Sequence, residues 1–309
     1  MLPKNPNFKP WWITGFTDAE GCFTLAPVRN NKLKLGWGVN IAFTIGLHAK
    51  DLAMLEEIKN YFGVGCINKH GSNSVLWRVQ SMQEIAKIIE HFDKYPLITQ
   101  KLADYLLWKE VILMMERKEH LTHKGLEKIM AIKASQNWGL TERKNEQLKA
   151  AFPNIVPVER PKVEIPTFDP NWLAGFTSGE GYFGVIVYKS RTSKLGRSVM
   201  LKFQLTQHKR DELLMNSLIE YFGCGTVSKD RDFINFRVTS FTDIETKIIP
   251  FFYKYPIKGV KSKDFEDFFK VADLMKHKSH LTKEGLDQIK ETIARRNKSS
   301  SRAWGAGMR

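Results

Sequence analysis

Two stretches, Trp12-Ile-Thr-Gly-Phe-Thr-Asp-Ala-Glu-Gly-Cys-Phe23 and Trp172-Leu-Ala-Gly-Phe-Thr-Ser-Gly-Glu-Gly-Tyr-Phe183, decide how this chain folds. Gly15 recurs as Gly175 and Glu20 as Glu180, an offset of 160 in both cases (175 − 15 and 180 − 20). The chain is therefore a duplication. Each copy opens with an apolar segment of helical character, then carries one mid-segment Gly, an acid about a turn later and a Gly able to end the helix. A mid-helix Gly costs about 0.5–1 kcal/mol relative to Ala, so its presence in both copies points to close backbone approach between two helices. Such a crossing is expected to gather Glu20 and Glu180 at one end. Neighbouring carboxylates repel, and each sits at the negative end of its own helix, unfavourable by about 0.3–1 kcal/mol. A cation relieves both penalties. One Glu-Gly alone reads as a solvated carboxylate beside a capping glycine; two in register favour the paired site.

Outward from these stretches the repeat continues with almost no slippage. Val39-x-Ile41-x-Phe43-x-Ile45 matches Val199-x-Leu201-x-Phe203-x-Leu205, Tyr61-Phe62-Gly63 matches Tyr221-Phe222-Gly223, and Lys94-Tyr95-Pro96 matches Lys254-Tyr255-Pro256. His120-Leu121-Thr122 likewise matches His280-Leu281-Thr282. Arg78-Val79 instead pairs with Arg237-Val238 at 237 − 78 = 159, so one residue is lost after a hairpin tip and regained before Lys254. The boundaries are residues 1–137 for the first repeat, 138–167 for a linker carrying Pro153, Pro157, Pro161 and Pro166, 168–297 for the second repeat, and 298–309 for a basic, flexible tail. Within each copy, period-2 alternation predicts strands at 22–29, 37–47, 65–69 and 75–80, and period 3.6 predicts helices at 51–62, 82–92, 100–118 and 122–135. The fold class is α+β: two pseudo-symmetric αββαββα repeats, each an antiparallel four-stranded sheet with helices on one face.

Composition narrows the partners. The 309 residues carry 48 Lys+Arg against 33 Asp+Glu, a net charge of +15 that favours a polyanion. No apolar run reaches the ~18 residues needed to span a bilayer, and the first residues lack a signal-peptide layout, so membrane is not expected. Cys22, Cys66 and Cys224 occupy unrelated positions of the repeat and read as reduced thiols. His48/His208 and His120/His280 recur without any metal-ligand spacing and read as helix-start or packing residues.

The uncovered sheet face carries the second signal. With Val39, Ile41, Phe43 and Ile45 toward the helices, Asn40, Ala42 and Thr44 point away. The same parity exposes Lys202, Gln204 and Thr206, then Arg78, Gln80, Asn235 and Arg237. The first strands of the copies contribute Thr24, Ala26 and Val28, with Tyr182, Gly184, Ile186 and Tyr188. Arg, Gln, Asn and Lys read base edges in a major groove, and Ala, Val and Ile meet thymine methyls. The hairpin tips add Arg29, Lys32 and Lys34, with Lys189, Arg191, Lys194 and Arg197, suited to phosphate contacts. A merely solvated face would mix both signs, and acids are nearly absent from these strands.

These residues carry a family resemblance. Ile13–Gly21 and Leu173–Gly181 resemble the two signature helices of a single-chain LAGLIDADG homing endonuclease, and the whole chain is similar to the I-OnuI-like group of fungal mitochondrial enzymes. The resemblance implies a monomer with an internal pseudo-twofold axis, a saddle joined at the signature helices, and a long, nearly asymmetric double-stranded DNA target. It implies that Glu20 and Glu180 hold divalent metal, helped by main-chain oxygen at Ala19 and Gly179, with Mg²⁺ as cofactor and Mn²⁺ or Ca²⁺ as substitutes for binding. Its central glutamine matches Gln207, where the first copy has Leu47. Its active-site lysine matches Lys101 and Lys261, each following a Tyr-Pro pair. Asp18 against Ser178 implies that the first motif acid is not essential to metal binding. It also implies intron-encoded, mitochondrial origin.

The expected activity is a sequence-specific, Mg²⁺-dependent double-strand break leaving 3′ overhangs. Phosphodiester hydrolysis needs far more than the ~10²–10⁴ that one general base supplies, so metal carries most of the acceleration. Two alternatives use the same scaffold: a maturase acting on its host group I intron RNA, and a DNA-binding regulator without catalysis. Retention of both Glu20 and Glu180 speaks against the regulator, because binding alone gives no reason to set two acids against a phosphate backbone.

Overall fold

The computed structural model describes residues 8–137, 146, 150–153, 155–164 and 167–300, with side chains to 296. In the first repeat, helix α1 (Pro10–Glu20) leads into β1 (Gly21–Arg29) and β2 (Trp37–His48). Helix α2 (Leu52–Phe62), strands β3 (Cys66–His70) and β4 (Ser74–Val79), and helices α3 (Met82–Lys94), α4 (Lys101–Glu116) and α5 (His123–Ser135) follow. The second repeat runs α6 (Pro170–Glu180), β5 (Gly181–Lys189), β6 (Arg197–His208), α7 (Glu212–Phe222), β7 (Thr226–Asp230) and β8 (Phe233–Val238). Its next helix, α8, has three pieces, Phe241–Asp243, a π-turn at Ile244–Ile248, and Ile249–Lys254; α9 (Lys261–Lys276) and α10 (Lys283–Ser300) complete it. The αββαββα order read from the sequence is observed in each repeat, followed by two further helices.

The two sheets are antiparallel, in the orders β1-β2-β4-β3 and β5-β6-β8-β7. The registers Phe23↔Phe43 and Phe183↔Phe203 put these aromatics on the helix-covered faces, where all four are buried. Helix α3 shows why a face is covered. Ser81 accepts a hydrogen bond from the Glu84 amide at 3.3 Å to start the helix, and Ile85, Ile88 and Phe92, at helical spacing, are buried.

The chain divides into two compact units. One comprises residues to Pro10, Glu20–Gly46 and Leu55–Thr167; the other comprises Trp11–Ala19, Leu47–Met54 and the chain from Phe168. In the first unit the Pro-containing stretch is anchored: Phe152 packs on Leu126 and Met130, and Arg160 donates to Asp104 Oδ1 at 2.7 Å and to the Ser135 carbonyl at 2.6 Å. Pro166 and residues 138–145, 147–149, 154 and 165 lie outside the described residues.

In the second unit, α1 residues pack on α6 at their glycines. A Cβ on Gly15 would stand 2.7 Å from the Trp172 carbonyl carbon and 2.9 Å from the Phe176 nitrogen. A Cβ on Gly175 would meet Trp12 and Phe16 in the same way, at 2.8 and 2.9 Å. Only hydrogen fits at either position, as the doubled glycine predicts.

Several expectations need correcting. Gly181 ends α6 in extended conformation (φ −73°, ψ 146°), so its value is space against Thr177 rather than a left-handed cap. Ala42 and Asn235, expected to face outward into solvent, are buried. Gly184 is buried because the Tyr182 ring lies over it, with Cζ 2.9 Å from where a Cβ would be. Gln80 is exposed but lies one residue past β4. Helix α10 continues to Ser300, into the stretch expected to begin a flexible tail, while 301–309 lie outside the described residues. Among the described residues no helix is long and apolar enough to cross a membrane.

Candidate active site and nucleic-acid face

Glu20 and Glu180 are the last residues of α1 and α6, each followed directly by the first glycine of a strand. The residue preceding Glu180 is engaged: Lys261 Nζ, on the first residue of α9, donates to the Gly179 carbonyl. A carbonyl has a second lone pair, so this contact leaves the Gly179 oxygen able to accept again. Lys101 likewise opens α4, where its amide donates to Thr99 Oγ1 at 3.2 Å. Gln207 lies near the end of β6, opposite Ile234 and half-buried. Asp18 is turned away from solvent, 2% exposed, and accepts from Trp172 Nε1 at 2.7 Å. Its counterpart Ser178 donates to the Ala174 carbonyl at 2.8 Å and accepts from the Lys258 amide at 3.2 Å. Both side chains therefore serve packing contacts, which accounts for their difference in chemistry. Among the described residues no group of three or more His, Cys, Asp and Glu side chains could hold a metal ion.

The helix-free face of the second sheet is a connected polar surface. One row crosses all four strands as Tyr182–Gln204–Arg237–Thr226, and a second pairs Thr206 with Asn235 and Ser228. Gln204 Oε1 accepts from Arg237 Nε at 3.0 Å, while Gln204 Nε2 donates to Asn235 Oδ1 at 3.0 Å and Thr206 Oγ1 at 2.9 Å. Thr206 donates to Asn235 Oδ1 at 2.7 Å, so Asn235 is buried as the hub of this network. Lys202 Nζ lies 5.1 Å from the centre of the Tyr182 ring. Burial pushes its ammonium pKa down, and the Arg237 guanidinium adds to that. An approaching anion offsets this repulsion. Ile186 is half-buried and Tyr188 is 46% exposed along the same strand. Lys189, Arg191, Lys194 and Arg197 at the tip are all exposed.

In the first sheet, Thr24, Ala26 and Thr44 are half-buried, and Val28 and Asn40 are exposed. Arg78 is half-buried, with Nε buried and lacking a hydrogen-bond partner. Arg29, Lys32 and Lys34 are exposed at the tip. The histidines behave as read: His48 and His208 cap short 3₁₀ turns through Nδ1, accepting from Lys50 N at 3.1 Å and Arg210 N at 3.3 Å. His120 and His280 sit in the matching turns Glu119–Leu121 and Ser279–Leu281, each with Nδ1 buried.

The LAGLIDADG endonuclease profile matches residues 13–112 and again 173–272, one signature helix opening each match. The chain belongs to the LAGLIDADG endonuclease family. Among its relatives, "Probable intron-encoded endonuclease 3" of Neurospora crassa is 39% identical over 293 residues, 93% of this chain. The chain spans only 54% of that relative's length. I-SmaMI bound to cleaved DNA superposes with a TM-score of 0.90 at 47% identity, covering 94% of this chain and 97% of the other. I-SmaMI bound to an uncleaved DNA target with calcium ions gives 0.90 at 47% identity, covering 93% and 98%.

The outer strands β3 and β7 add sheet positions that the sequence alone does not single out. Register places Cys66 opposite Arg78 and Thr226 opposite Arg237, and Cys22 stands exposed opposite Thr44. Ser228, opposite Asn235, has a buried Oγ without a hydrogen-bond partner. The five-residue strands β3 and β7 are too short for alternation to declare a face, but the antiparallel pairing of each hairpin carries the parity across.

Proposed function

We propose that this chain is a sequence-specific DNA endonuclease that cuts both strands of a long, nearly asymmetric duplex target, leaves 3′ overhangs and depends on a divalent metal. The observation that carries the reading is the Lys261 ammonium held on the Gly179 carbonyl, beside the motif acid Glu180. A cation fixed beside a carboxylate is suited to a scissile phosphate, whose charge rises during hydrolysis.

The donor set fits Mg²⁺. Glu20, Glu180 and the main-chain carbonyls of Ala19 and Gly179 are hard oxygen ligands, and two carboxylates, with no group of three or more ligand side chains among the described residues, suit an ion that keeps waters and takes phosphate oxygens. When bound, the metal supplies Lewis acidity toward the scissile phosphate and a lowered pKa for water. Lys261 and Lys101 offset the charge that develops on the phosphate, and Gln207 orients water. Leu47, in the equivalent place, has no polar atom, so the two strands are cut at unequal rates. The sheets align the duplex: the tip lysines and arginines bind phosphates, and Gln204, Arg237, Lys202 and Arg78 read base edges. The calcium-bound relative held on uncleaved DNA supports a divalent ion, and the intron-encoded fungal relatives, with a Podospora anserina relative in ND4 intron 1, support an origin in a fungal mitochondrial intron.

The test is cleavage of a randomised duplex library with Mg²⁺ by the parent protein, Glu20→Gln and Glu180→Gln. The expected result is cutting of one narrow family of sites by the parent and loss of double-strand cutting in both variants. Equal duplex binding by all three with no cutting overturns the reading. So does tight binding to a structured intron RNA with negligible duplex binding, which points to splicing instead.

A further inference from the structure

We propose that Asp51, contributed by the first repeat, is a positioning residue that sets Lys261 at the N-terminus of α9 in the second. The proposal rests on the role given to Lys261 above. Leu47–Met54 belongs to the same compact unit as α9, and Asp51 Oδ1 accepts a hydrogen bond from the Val260 amide at 2.7 Å. Val260 is the N-cap residue of α9, and its apolar side chain offers no cap of its own. The carboxylate supplied from 209 residues earlier instead takes the Val260 amide, one of the first four N–H groups that have no partner within the helix.

The turn is shaped around this contact. Gly259 is left-handed at φ +72°, and a Cβ there would stand 2.6 Å from Asp51 Oδ1 and 2.9 Å from the Met54 sulfur. Its carbonyl accepts from Ser262 Oγ at 2.8 Å, tightening the first turn of the helix. Asp51 also acts on the lysine through charge: burial raises its carboxyl pKa, while the Val260 amide, His48, Lys261 and Lys50 oppose that rise. One carboxylate thus fixes the backbone from which Lys261 leaves and attracts its charge, while the ammonium itself is held on the Gly179 carbonyl. A lysine with three donors and four rotatable bonds has little orientation of its own, so its charge is placed by the backbone position and the acceptor together, here the α9 N-terminus and the Gly179 carbonyl. The second repeat carries Asp211 at the matching position, 211 − 51 = 160, where it is buried, whereas Asp51 is half-buried.

The test is a double-mutant cycle on cleavage of a plasmid carrying the target, with nicked and linear products followed separately. Asp51→Ala is expected to lower kcat by about tenfold to a hundredfold, leave Kd for the duplex unchanged and accumulate nicked product. In a Lys261→Ala background the same change is expected to slow cleavage no further. Asp51→Asn, which keeps an oxygen toward the Val260 amide without the charge, is expected to fall between parent and Asp51→Ala and to fold if Asp51→Ala does not. Equal slowing by Asp51→Ala in both backgrounds overturns the proposal, since the effect then does not pass through Lys261. Parental cleavage by Asp51→Ala, where Lys261→Ala is slow, overturns it too. Parental cleavage by Lys261→Ala removes the role of the lysine itself.

Discussion

His91 gives the chain a pH signature written in one side chain. It lies buried on α3 among Phe62, Phe92 and Tyr95, with Nδ1 3.2 Å from the Tyr61 hydroxyl. Burial lowers its pKa from 6.5 to about 3. The unfolded chain therefore takes up this proton near pH 6.5 while the folded chain does not. The stability His91 allows is complete above about pH 6.5 and falls by about 1.4 kcal/mol per pH unit toward pH 3. Replacing it with Leu is expected to flatten the decline of Tm between pH 6 and pH 4 relative to the parent; parallel Tm profiles would refute this. At this scale the sequence was informative wherever a residue's value lay in what it lacks or repeats. Gly15 and Gly175 announced a close approach by costing helix stability twice. It was silent on Asn235, whose burial depends on Gln204 and Thr206 from another strand reaching its oxygen. It was equally silent on Gly184, because a tyrosine two residues away covers it.

Counting residues between repeats predicts an irregularity at the scale of elements. The offset of 159 at Arg78/Arg237 and 160 at Tyr95/Tyr255 requires one extra residue in the second copy between those points. The structure places it inside α8, as the π-turn Ile244–Ile248. The missing residue upstream shortens the turn between β7 and β8, where Arg231 takes φ 55°. The π-turn keeps the core in register: Ile85 and Ile88 of α3 are three apart, whereas their buried counterparts Ile244 and Ile248 are four apart, and Phe92 still matches Phe252. Deleting the exposed Thr246 is therefore expected to convert this segment to the α-helical register of the first repeat at small cost in Tm. Deleting Lys87 from α3 should be far worse, since it rotates Phe92 out of the core, a loss of about 3–5 kcal/mol if its packing is abolished. Equal losses from the two deletions would contradict this account. Elements this long and periodic were legible because burial repeats along them; the π-turn was legible only as arithmetic, with no local residue pattern to mark its position.

At the scale of the molecule, sequence and structure differ in how they group residues. Sequence similarity ends a repeat where matching stops, but packing assigns Trp11–Ala19 and Leu47–Met54 to the unit built from Phe168 onward. No single-chain periodicity reveals such an exchange, because α1 and Leu47–Met54 look the same whichever body they bury against. Charge, in contrast, sums over the whole chain and needs no fold to be read. The net charge of +15 is unevenly placed: the strands of the first sheet contain no acid, those of the second contain only Asp230, and ion pairs such as Lys109–Asp93 and Lys276–Glu245 involve helix residues. Among the described residues, no acid pairs with Lys189, Arg191, Lys194 or Arg197. Phosphate binding by these four displaces counterions and carries no base information, whereas Gln204 and Arg237 sit on the base-reading row. Alanine at the four tip positions is expected to make the dependence of log Kd on log salt shallower by about 0.9 for each phosphate no longer neutralised, with the order of preferred target sequences unchanged. Gln204→Ala is expected to do the reverse, leaving the salt slope intact while relaxing preference at the base pairs met by its row, because Arg237 and Asn235 lose a shared partner. Binding titrations across ~50–200 mM salt against matched and mismatched duplexes separate the two. A tip variant that altered sequence preference with an unchanged salt slope would show that the loops read bases and would sink the division of labour between tip and sheet.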